Sequence, residues 1–209
     1  MNIEQAYDIW ADQYDTDTNL TRDLDKRATQ EALSSLTFHT VIELGCGTGK
    51  NTIFLLSKAQ RVLALDFSEK MLSRARKNIT DKRVTFQKAD ITQPWEVPDH
   101  FADLITSSLV MEHIKDLSFI FSQARLKLKT GGHFFISELH PFRQYLGSRA
   151  GFDTENGRIN PRAYTHHVSQ FLDSARQNDF HLTTLREWFD ANGTDKPPRL
   201  ISFLFQVQK

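Results

Sequence analysis

The chain has 209 residues, with 26 lysines plus arginines against 26 aspartates plus glutamates, so its formal charge is zero. This length is compatible with one α/β domain that folds without disulfides, and the absence of a basic excess argues against nucleic acid or anionic lipid as partners. A single cysteine, no charged-then-apolar leader and no apolar run near the ~18 residues of a membrane span lead us to expect a cytoplasmic protein.

Helix-like and strand-like segments alternate along the chain. Apolar residues at steps of three or four predict two N-terminal helices, carried by Ile3, Tyr7, Trp10 and Tyr14, then by Leu24, Ala28, Ala32 and Leu36. Five predicted strands follow, TVIEL, RVLAL, RVTFQ, FADLITSS and HFFISEL. The helices predicted between them are GKNTIFLLSKA, SEKMLSRARKNI and DLSFIFSQARLKLK, with Ser68 and Asp116 as N-caps and Gly131 and Gly132 as the stop of the last.

The C-terminal part departs from this alternation. An irregular stretch over residues 141–167 precedes one more helix, SQFLDSARQNDF, and two strands, HLTTLREWF and LISFLFQVQ. Strands joined by single helices pair in parallel, whereas these last two strands are joined only by the turn-rich DANGTDKPPR and should pair antiparallel. The predicted fold is a doubly wound α/β domain with a mostly parallel seven-stranded sheet, a C-terminal antiparallel hairpin and extra N-terminal helices.

A glycine-rich turn follows the first strand, in the stretch TVIELGCGTGKNT. The phosphate-loop pattern fails here, because Leu44 stands where its first glycine is needed and Asn51 replaces the hydroxyl residue. The dinucleotide pattern is weakened, because the third glycine, Gly49, comes one residue early. A pyridine-nucleotide oxidoreductase therefore stays open as an alternative.

Three acidic residues lie at the carboxyl ends of successive predicted strands, where open α/β sheets bind ligands. They are Glu43 before the turn, Asp66 at the end of the second strand and Asp90 after the third. So much negative charge would repel a pyrophosphate but tolerate a cationic ligand without phosphate. S-adenosylmethionine fits, since Asp66 could accept from the ribose hydroxyls and Asp90 from the adenine amino group. Glu43 could order the turn or attract the cationic methionine end.

These stretches, with FADLITSSLVMEHI and LKTGGHFFISELHPF, resemble the class I S-adenosylmethionine-dependent methyltransferases. The N-terminal YDIWADQYD is similar to the leading helix of their small-molecule branch. The resemblance implies one methyltransferase domain over 1–209, with N-terminal helices over the cofactor in 1–37 and a cofactor-binding core in 38–140. The segment 141–167 would then cover a small-molecule acceptor.

The resemblance also implies roles for individual residues toward S-adenosylmethionine. Asp66 would hold the ribose with Phe67 and Met71 against it, and Asp90 and Ile91 would bracket the adenine. The methionine part would be lined by the backbone of Gly45, Cys46 and Gly47, faced by the Ser107 carbonyl and covered by Tyr14.

Candidates for proton transfer come from the C-terminal half. His140 directly follows the fifth strand, and Tyr164 and His166 lie in the irregular segment. A base is needed only if the acceptor is a weakly acidic hydroxyl or a protonated amine. We expect no metal site, because a zinc site would need more ligands at suitable spacing. A binding protein that keeps the cofactor pocket without catalysis is the second open alternative, and the oligomeric state is not indicated.

Overall fold

The computed structural model describes residues 2–16, 18–154, 157–190 and 196–208. Its helices are α1 Ile3–Trp10, α2 Leu20–Leu33, α3 Thr52–Lys58, α4 Glu69–Asn78, α5 Leu117–Lys127, α6 Pro141–Tyr145 and α7 Val168–Gln177, with a short 3-10 helix at Met111–His113. Its strands are β1 Thr40–Leu44, β2 Arg61–Asp66, β3 Val84–Lys88, β4 Ala102–Ser108, β5 Leu128–Leu139, β6 Phe152–Thr154, β7 Gly157–Ile159, β8 Phe180–Trp188 and β9 Leu200–Val207.

Seven of these strands form one sheet in the order β3-β2-β1-β4-β5-β9-β8. β1 to β5 pair in parallel, and β9 runs antiparallel to both β5 and β8. This confirms the predicted fold class, including the C-terminal hairpin. The strand order reverses between β1 and β4, so the carboxyl ends of these two strands open the crevice in which doubly wound folds bind ligands.

Helices cover both faces of the sheet, and the alternation of side chains along each strand divides the core in two. Phe134 and Phe205 lie in the cluster that includes Phe121 of α5. Their sequence neighbours Phe135 and Leu204 lie in the cluster on the opposite face. No helix in the described ranges is both long and apolar enough to cross a membrane.

The helix boundaries follow the predicted caps at one end only. Ser68 accepts from the Met71 amide at 3.1 Å and Asp116 accepts from the Phe119 amide at 3.1 Å, as N-caps of α4 and α5. The predicted stop of α5 at the glycine pair is wrong, because α5 ends at Lys127 and the glycines lie within β5. Burial explains the early end, since Leu128 is fully buried and pairs with β4 instead of continuing the helix.

The stretch 141–167 contains more regular structure than the sequence predicted. It holds α6 and the β6–β7 hairpin, while residues 155–156 lie outside the described residues, as do 191–195 of the predicted final turn. The Phe152 ring stacks on Trp10 of α1, with centroids 4.7 Å apart and an angle of 11°. This contact ties the hairpin to the N-terminal helix and places both over the carboxyl edge of the sheet.

Candidate active site

The turn after β1 can be built only with glycine at its first position. Gly45 has φ +68°, and a Cβ there would lie 2.3 Å from Cγ2 of Val110. Gly47 also has positive φ, and a Cβ there would lie 4.0 Å from the Tyr14 ring. The bare backbone of the turn is therefore held against the loop after β4, with Tyr14 of the N-terminal segment beside it.

Asp66 connects the end of β2 to this turn. One carboxylate oxygen accepts from the Gly47 amide at 2.8 Å, and the other accepts from the Ser68 amide at 2.9 Å. Burial raises the pKa of Asp66 to about 6 despite these hydrogen bonds. A carboxylate can accept about four hydrogen bonds, so the pair of oxygens keeps accepting capacity for ligand hydroxyls.

A cavity of about 350 Å³ opens between the turn, the ends of β2 and β3, and α1. We name it the turn cavity, and its volume suits a small-molecule ligand. Eight of the predicted cofactor residues line it: Tyr14, Gly45, Gly47, Asp66, Phe67, Met71, Asp90 and Ile91. Ser107 is not among the described lining residues, and its neighbour Ser108 is.

The two remaining predicted residues, Glu43 and Cys46, line a smaller adjoining cavity of about 50 Å³. Glu43 accepts from the Thr52 hydroxyl at 2.5 Å and is 5% exposed, and burial raises its pKa to about 8. Glu43 thus fastens β1 to α3 below the turn. Burial also raises the pKa of the Cys46 thiol well above its usual value, which argues against a thiolate nucleophile.

A hydrogen bond joins α1 to the 3-10 helix across the mouth of the turn cavity. The Tyr7 hydroxyl lies 2.8 Å from Nε2 of His113, and Nδ1 of His113 lies 2.9 Å from the Arg162 carbonyl oxygen. Because a carbonyl only accepts, Nδ1 carries the proton, and a neutral His113 accepts from Tyr7 at Nε2. Burial raises the pKa of Tyr7 well above its usual value, which keeps this hydroxyl protonated.

A second cavity of about 580 Å³ adjoins the first. Five of its described lining residues are arginines, and we name it the arginine cavity: Arg22, Arg143, Arg149, Arg158 and Arg199. Tyr7, Tyr14 and Leu109 line both cavities. The two cavities therefore share one wall, made by α1, the segment after it and the loop after β4.

Comparisons with known proteins agree with this arrangement. Residues 42–136 match the methyltransferase domain family. An uncharacterized methyltransferase of Emericella nidulans is 29% identical, over 92% of this chain and 78% of that protein. An S-adenosylmethionine-dependent methyltransferase structure from Mesorhizobium loti superposes with a TM-score of 0.73 at 25% identity, over 90% of this chain and all of that one.

The chain is a class I S-adenosylmethionine-dependent methyltransferase. Its methyl donor is S-adenosylmethionine, which removes the pyridine-nucleotide alternative. Phosphoethanolamine N-methyltransferase 1 of Triticum aestivum is 33% identical over 69% of this chain. The alignment spans only 30% of that wheat protein, so its acceptor does not carry over as a finding.

The structure of the methyltransferase fits its donor at the carboxyl edge of the sheet. The turn backbone at Gly45 leaves no room for a side chain, and the buried carboxylate of Asp66 faces the same cavity. Asp90 lies there too and accepts from the Thr92 amide at 2.9 Å. Glycine backbone and carboxylate oxygens suit the amino, hydroxyl and adenine groups of the donor, and within the described residues no group of acidic, histidine and cysteine side chains could hold a metal ion.

Sequence reasoning missed two acidic residues that shape the site. Glu138 of β5 accepts from the amides of Val110 and Met111 at 2.9 and 2.8 Å, and so fixes the loop after β4. Glu112 is 6% exposed and lines the arginine cavity, and its Oε2 has no hydrogen-bond partner among the described residues. Both lie near strand ends, as Asp66 does. The two acidic residues are visible in the stretches SEL and VMEH, but no regular spacing distinguishes them from the other acidic residues of the chain.

The three predicted proton-transfer residues lie outside the described lining of both cavities. His140 caps α6 by accepting from the Phe142 amide at 3.1 Å, and its Nε2 lies 3.0 Å from Glu187. His166 places Nε2 2.7 Å from the Ile114 carbonyl, and burial lowers its pKa. The Tyr164 amide donates to the Glu112 carbonyl at 2.6 Å. In this geometry all three hold loops in place.

Proposed function

We propose that the chain transfers the methyl group of S-adenosylmethionine to a small molecule bound in the arginine cavity. The observation that carries this proposal is the wall that the two cavities share at Tyr7, Tyr14 and Leu109. Methyl transfer is an in-line displacement, so donor and acceptor must meet across one boundary. A cavity of about 580 Å³ suits a small molecule rather than a polymer, and the zero formal charge does not favour nucleic acid.

For the donor, we propose the residues that line the turn cavity. Asp66 accepts from the ribose hydroxyls with the lone pairs that its two backbone hydrogen bonds leave open. Asp90 and Ile91 hold the adenine, and the turn from Gly45 to Gly47 receives the methionine part below Tyr14. Glu43 and Cys46 support that turn from the adjoining cavity, and Ser107 takes part through its carbonyl.

The bound donor supplies a methyl group already activated by its sulfonium, so the protein contributes mainly alignment. Such positioning is worth up to about 7–11 kcal/mol in favourable cases. Tyr7 is the residue best placed for it, because its hydroxyl is fixed by His113 and its ring lies in the shared wall. The buried Trp10 ring and the half-buried Tyr7 ring of α1 also exclude water from the boundary between the cavities.

We propose that Glu112 orients the acceptor and, where the acceptor must lose a proton, receives that proton. Its Oε2 has no hydrogen-bond partner among the described residues and is buried at the arginine cavity, and burial raises the pKa of this carboxyl above its usual value. His140, His166 and Tyr164 remain predictions for the same role. The His140 and His166 side chains would have to leave the hydrogen bonds described above before they could act.

Binding and turnover measurements test this function in two steps. We expect S-adenosylmethionine and its demethylated product to raise the melting temperature of the chain, whereas NAD does not. With methyl-labelled donor, label should then pass to members of a small-molecule pool and not to DNA, RNA or denatured protein. Stabilisation by NAD alone, or label found only in a polymer, would contradict the proposal.

The domain limits, the cellular location and the small-molecule partner also stay proposals. We propose one domain over 1–209, with 1–37 and 141–167 covering the two cavities and 38–140 binding the donor. The single buried cysteine is compatible with a cytoplasmic location, which fractionation of the source cells would test.

A further inference from the structure

The arginine cavity concentrates positive charge in a chain whose formal net charge is zero. Among its described lining residues, five arginines stand against one carboxylate, Glu112. The formal charge of the chain is zero, so this grouping does not follow from a basic composition. A local excess of guanidinium groups in a concave site indicates the charge of its ligand.

The carboxylates that the structure describes near this cavity offset only part of the charge of Arg143, Arg158 and Arg199. Asp190 is shared by two arginines, since Nη2 of Arg143 lies 3.1 Å away and Arg199 also pairs with it. Arg158 contacts Asp153 at 3.3 Å. Among the described residues, one carboxylate thus serves two of the guanidinium groups that line the cavity, so positive charge is in excess at Arg143 and Arg199.

Several of the arginines are held in fixed positions before any ligand binds. Arg143 donates to the carbonyl oxygens of Pro198 and Pro197 at 3.3 and 3.2 Å, and Arg199 donates to the Thr21 hydroxyl at 3.1 Å. Their side chains are 23% and 18% exposed. These partly buried guanidinium groups have fewer carboxylate partners than charges and lose part of their hydration. An anionic ligand with two or three oxygens would accept hydrogen bonds from them and so compensate for the lost hydration.

Arg149 also lines the arginine cavity and lies in the connection between α6 and β6. It is exposed at the mouth of the arginine cavity, unlike Arg143 and Arg199, which are braced within the fold. Its charge also acts on the buried Glu112 carboxyl. Within the part of the chain that the structure describes, no side-chain hydrogen bond holds Arg149, so it can meet an incoming anion without losing one.

We propose that the methyl acceptor carries a compact oxyanion, a phosphate or a carboxylate, which the arginines of this cavity bind while the nucleophile points to the shared wall. This deepens the proposed function and rests on it. The oxyanion then serves as the handle that orients the acceptor, and Glu112 lies beside the reacting end or beside a positive charge on it.

The test begins with protein saturated with S-adenosylhomocysteine, so that the turn cavity is filled. Inorganic phosphate and acetate are titrated by calorimetry into the wild type, R149Q and R143Q. We expect phosphate or acetate to bind the wild type at least fivefold more tightly than either variant. The anion that binds indicates whether the acceptor carries a phosphate or a carboxylate. R76Q is the control, because Arg76 pairs with Glu69 on the surface of α4 and should leave binding unchanged.

Turnover with matched acceptors gives the second readout. Phosphoethanolamine is compared with ethanolamine, and β-alanine with propylamine, using labelled donor. We expect label only in the members that carry a phosphate or carboxylate, with R149Q raising KM about tenfold and changing kcat little. Equal anion binding by wild type and R149Q, no anion binding at all, or equal methylation of the partner without an oxyanion would overturn the inference. Failure of S-adenosylhomocysteine to bind would instead reject the proposed function itself.

Discussion

The Tyr7 hydroxyl and Nε2 of His113 lie 2.8 Å apart and join α1 to the loop after β4. This hydrogen bond closes the turn cavity on one side and forms part of the wall shared with the arginine cavity. An N-terminal helix and a loop about half the chain away in sequence are thus held together at the wall across which we propose that the methyl group is transferred.

Tyr7→Phe tests this bond because it removes one oxygen and keeps the ring. We expect methyl transfer to fall severalfold and the free energy of unfolding to drop by about 0.5–1.5 kcal/mol, since His113 loses its partner. Tyr145→Phe is the matched control, because its hydroxyl lies 2.7 Å from Nδ1 of His167 outside both cavities. Equal loss of turnover in the two variants would count against a role for Tyr7 in the wall.

Donor affinity should depend on the protonation of Asp66. Burial raises its pKa from 3.8 to about 6 in the donor-free protein, so the accepting carboxylate is present above pH 6 and lost below it. We expect the Kd of S-adenosylhomocysteine, measured by calorimetry, to rise about tenfold per pH unit below 6. Asp66→Asn should bind weakly at every pH, with this dependence removed. A wild-type affinity that is flat across pH 5–7 would show that the carboxylate does not bind the donor.

Glu43 should make the fold sensitive to alkaline pH. Burial raises its pKa from 4.5 to about 8, so the folded state binds the proton more tightly than the unfolded state. Stability from this proton is present below pH 4.5 and is lost as pH rises through 8. Glu43→Gln keeps an acceptor for Thr52 and should raise the free energy of unfolding at pH 9 by a few kcal/mol, because each tenfold difference in proton affinity between the folded and unfolded states is worth about 1.4 kcal/mol. Urea titrations at pH 5 and pH 9 measure this, with exposed Glu96→Gln as the unaffected control.

Glu138 should matter through the loop that it holds. Glu138→Ala leaves the amides of Val110 and Met111 without their acceptor, at about 1–3 kcal/mol for each buried group. We expect lower stability and little methyl transfer. Glu138→Gln offers a carbonyl oxygen in the same place, and burial raises the pKa of Glu138 to about 8, so the neutral amide resembles the native state near neutral pH. If Glu138→Gln lost as much turnover as Glu138→Ala, charge rather than loop position would be the cause.

Gly45→Ala should lower the free energy of unfolding by more than the cost of its left-handed backbone conformation alone. A left-handed residue costs about 1–2 kcal/mol, and the added Cβ would meet Val110 at 2.3 Å, for roughly 1–3 kcal/mol more. Gly147→Ala carries only the first cost, because φ is +93° with nothing within 4 Å. Thermal unfolding and donor binding of the two variants separate these contributions, and the Gly45→Ala, Val110→Ala double variant should recover part of the loss.

The lining of the turn cavity could largely be predicted from the sequence, because the residues that form it lie in short local stretches. A strand, three glycines and a carboxylate at each strand end fix the positions of Gly45, Asp66 and Asp90 within short stretches. Ser108 in the lining of the turn cavity was not predicted, because alternation along β4 decides which side chain faces inward, and a boundary cannot be read that finely from one sequence. The role predicted for the Ser107 carbonyl stays a prediction.

The arginine cavity could not be predicted in the same way. Arg22, Arg149 and Arg199 belong to segments far apart in the chain, and only the completed sheet and its N-terminal helices bring them together. The α6 helix and the β6–β7 hairpin are too short to show a period. Tyr7 had a detectable signal, since it shares a helical stripe with Tyr14, but the stripe alone does not tell a cavity wall from an ordinary core.

The stacking of Trp10 on Phe152 has a consequence for the order of events during catalysis. It holds the β6–β7 hairpin against α1, whose Tyr7 lines both cavities. We therefore expect a movement of the hairpin to shift α1 as well, so that the two cavities open and close in the same step.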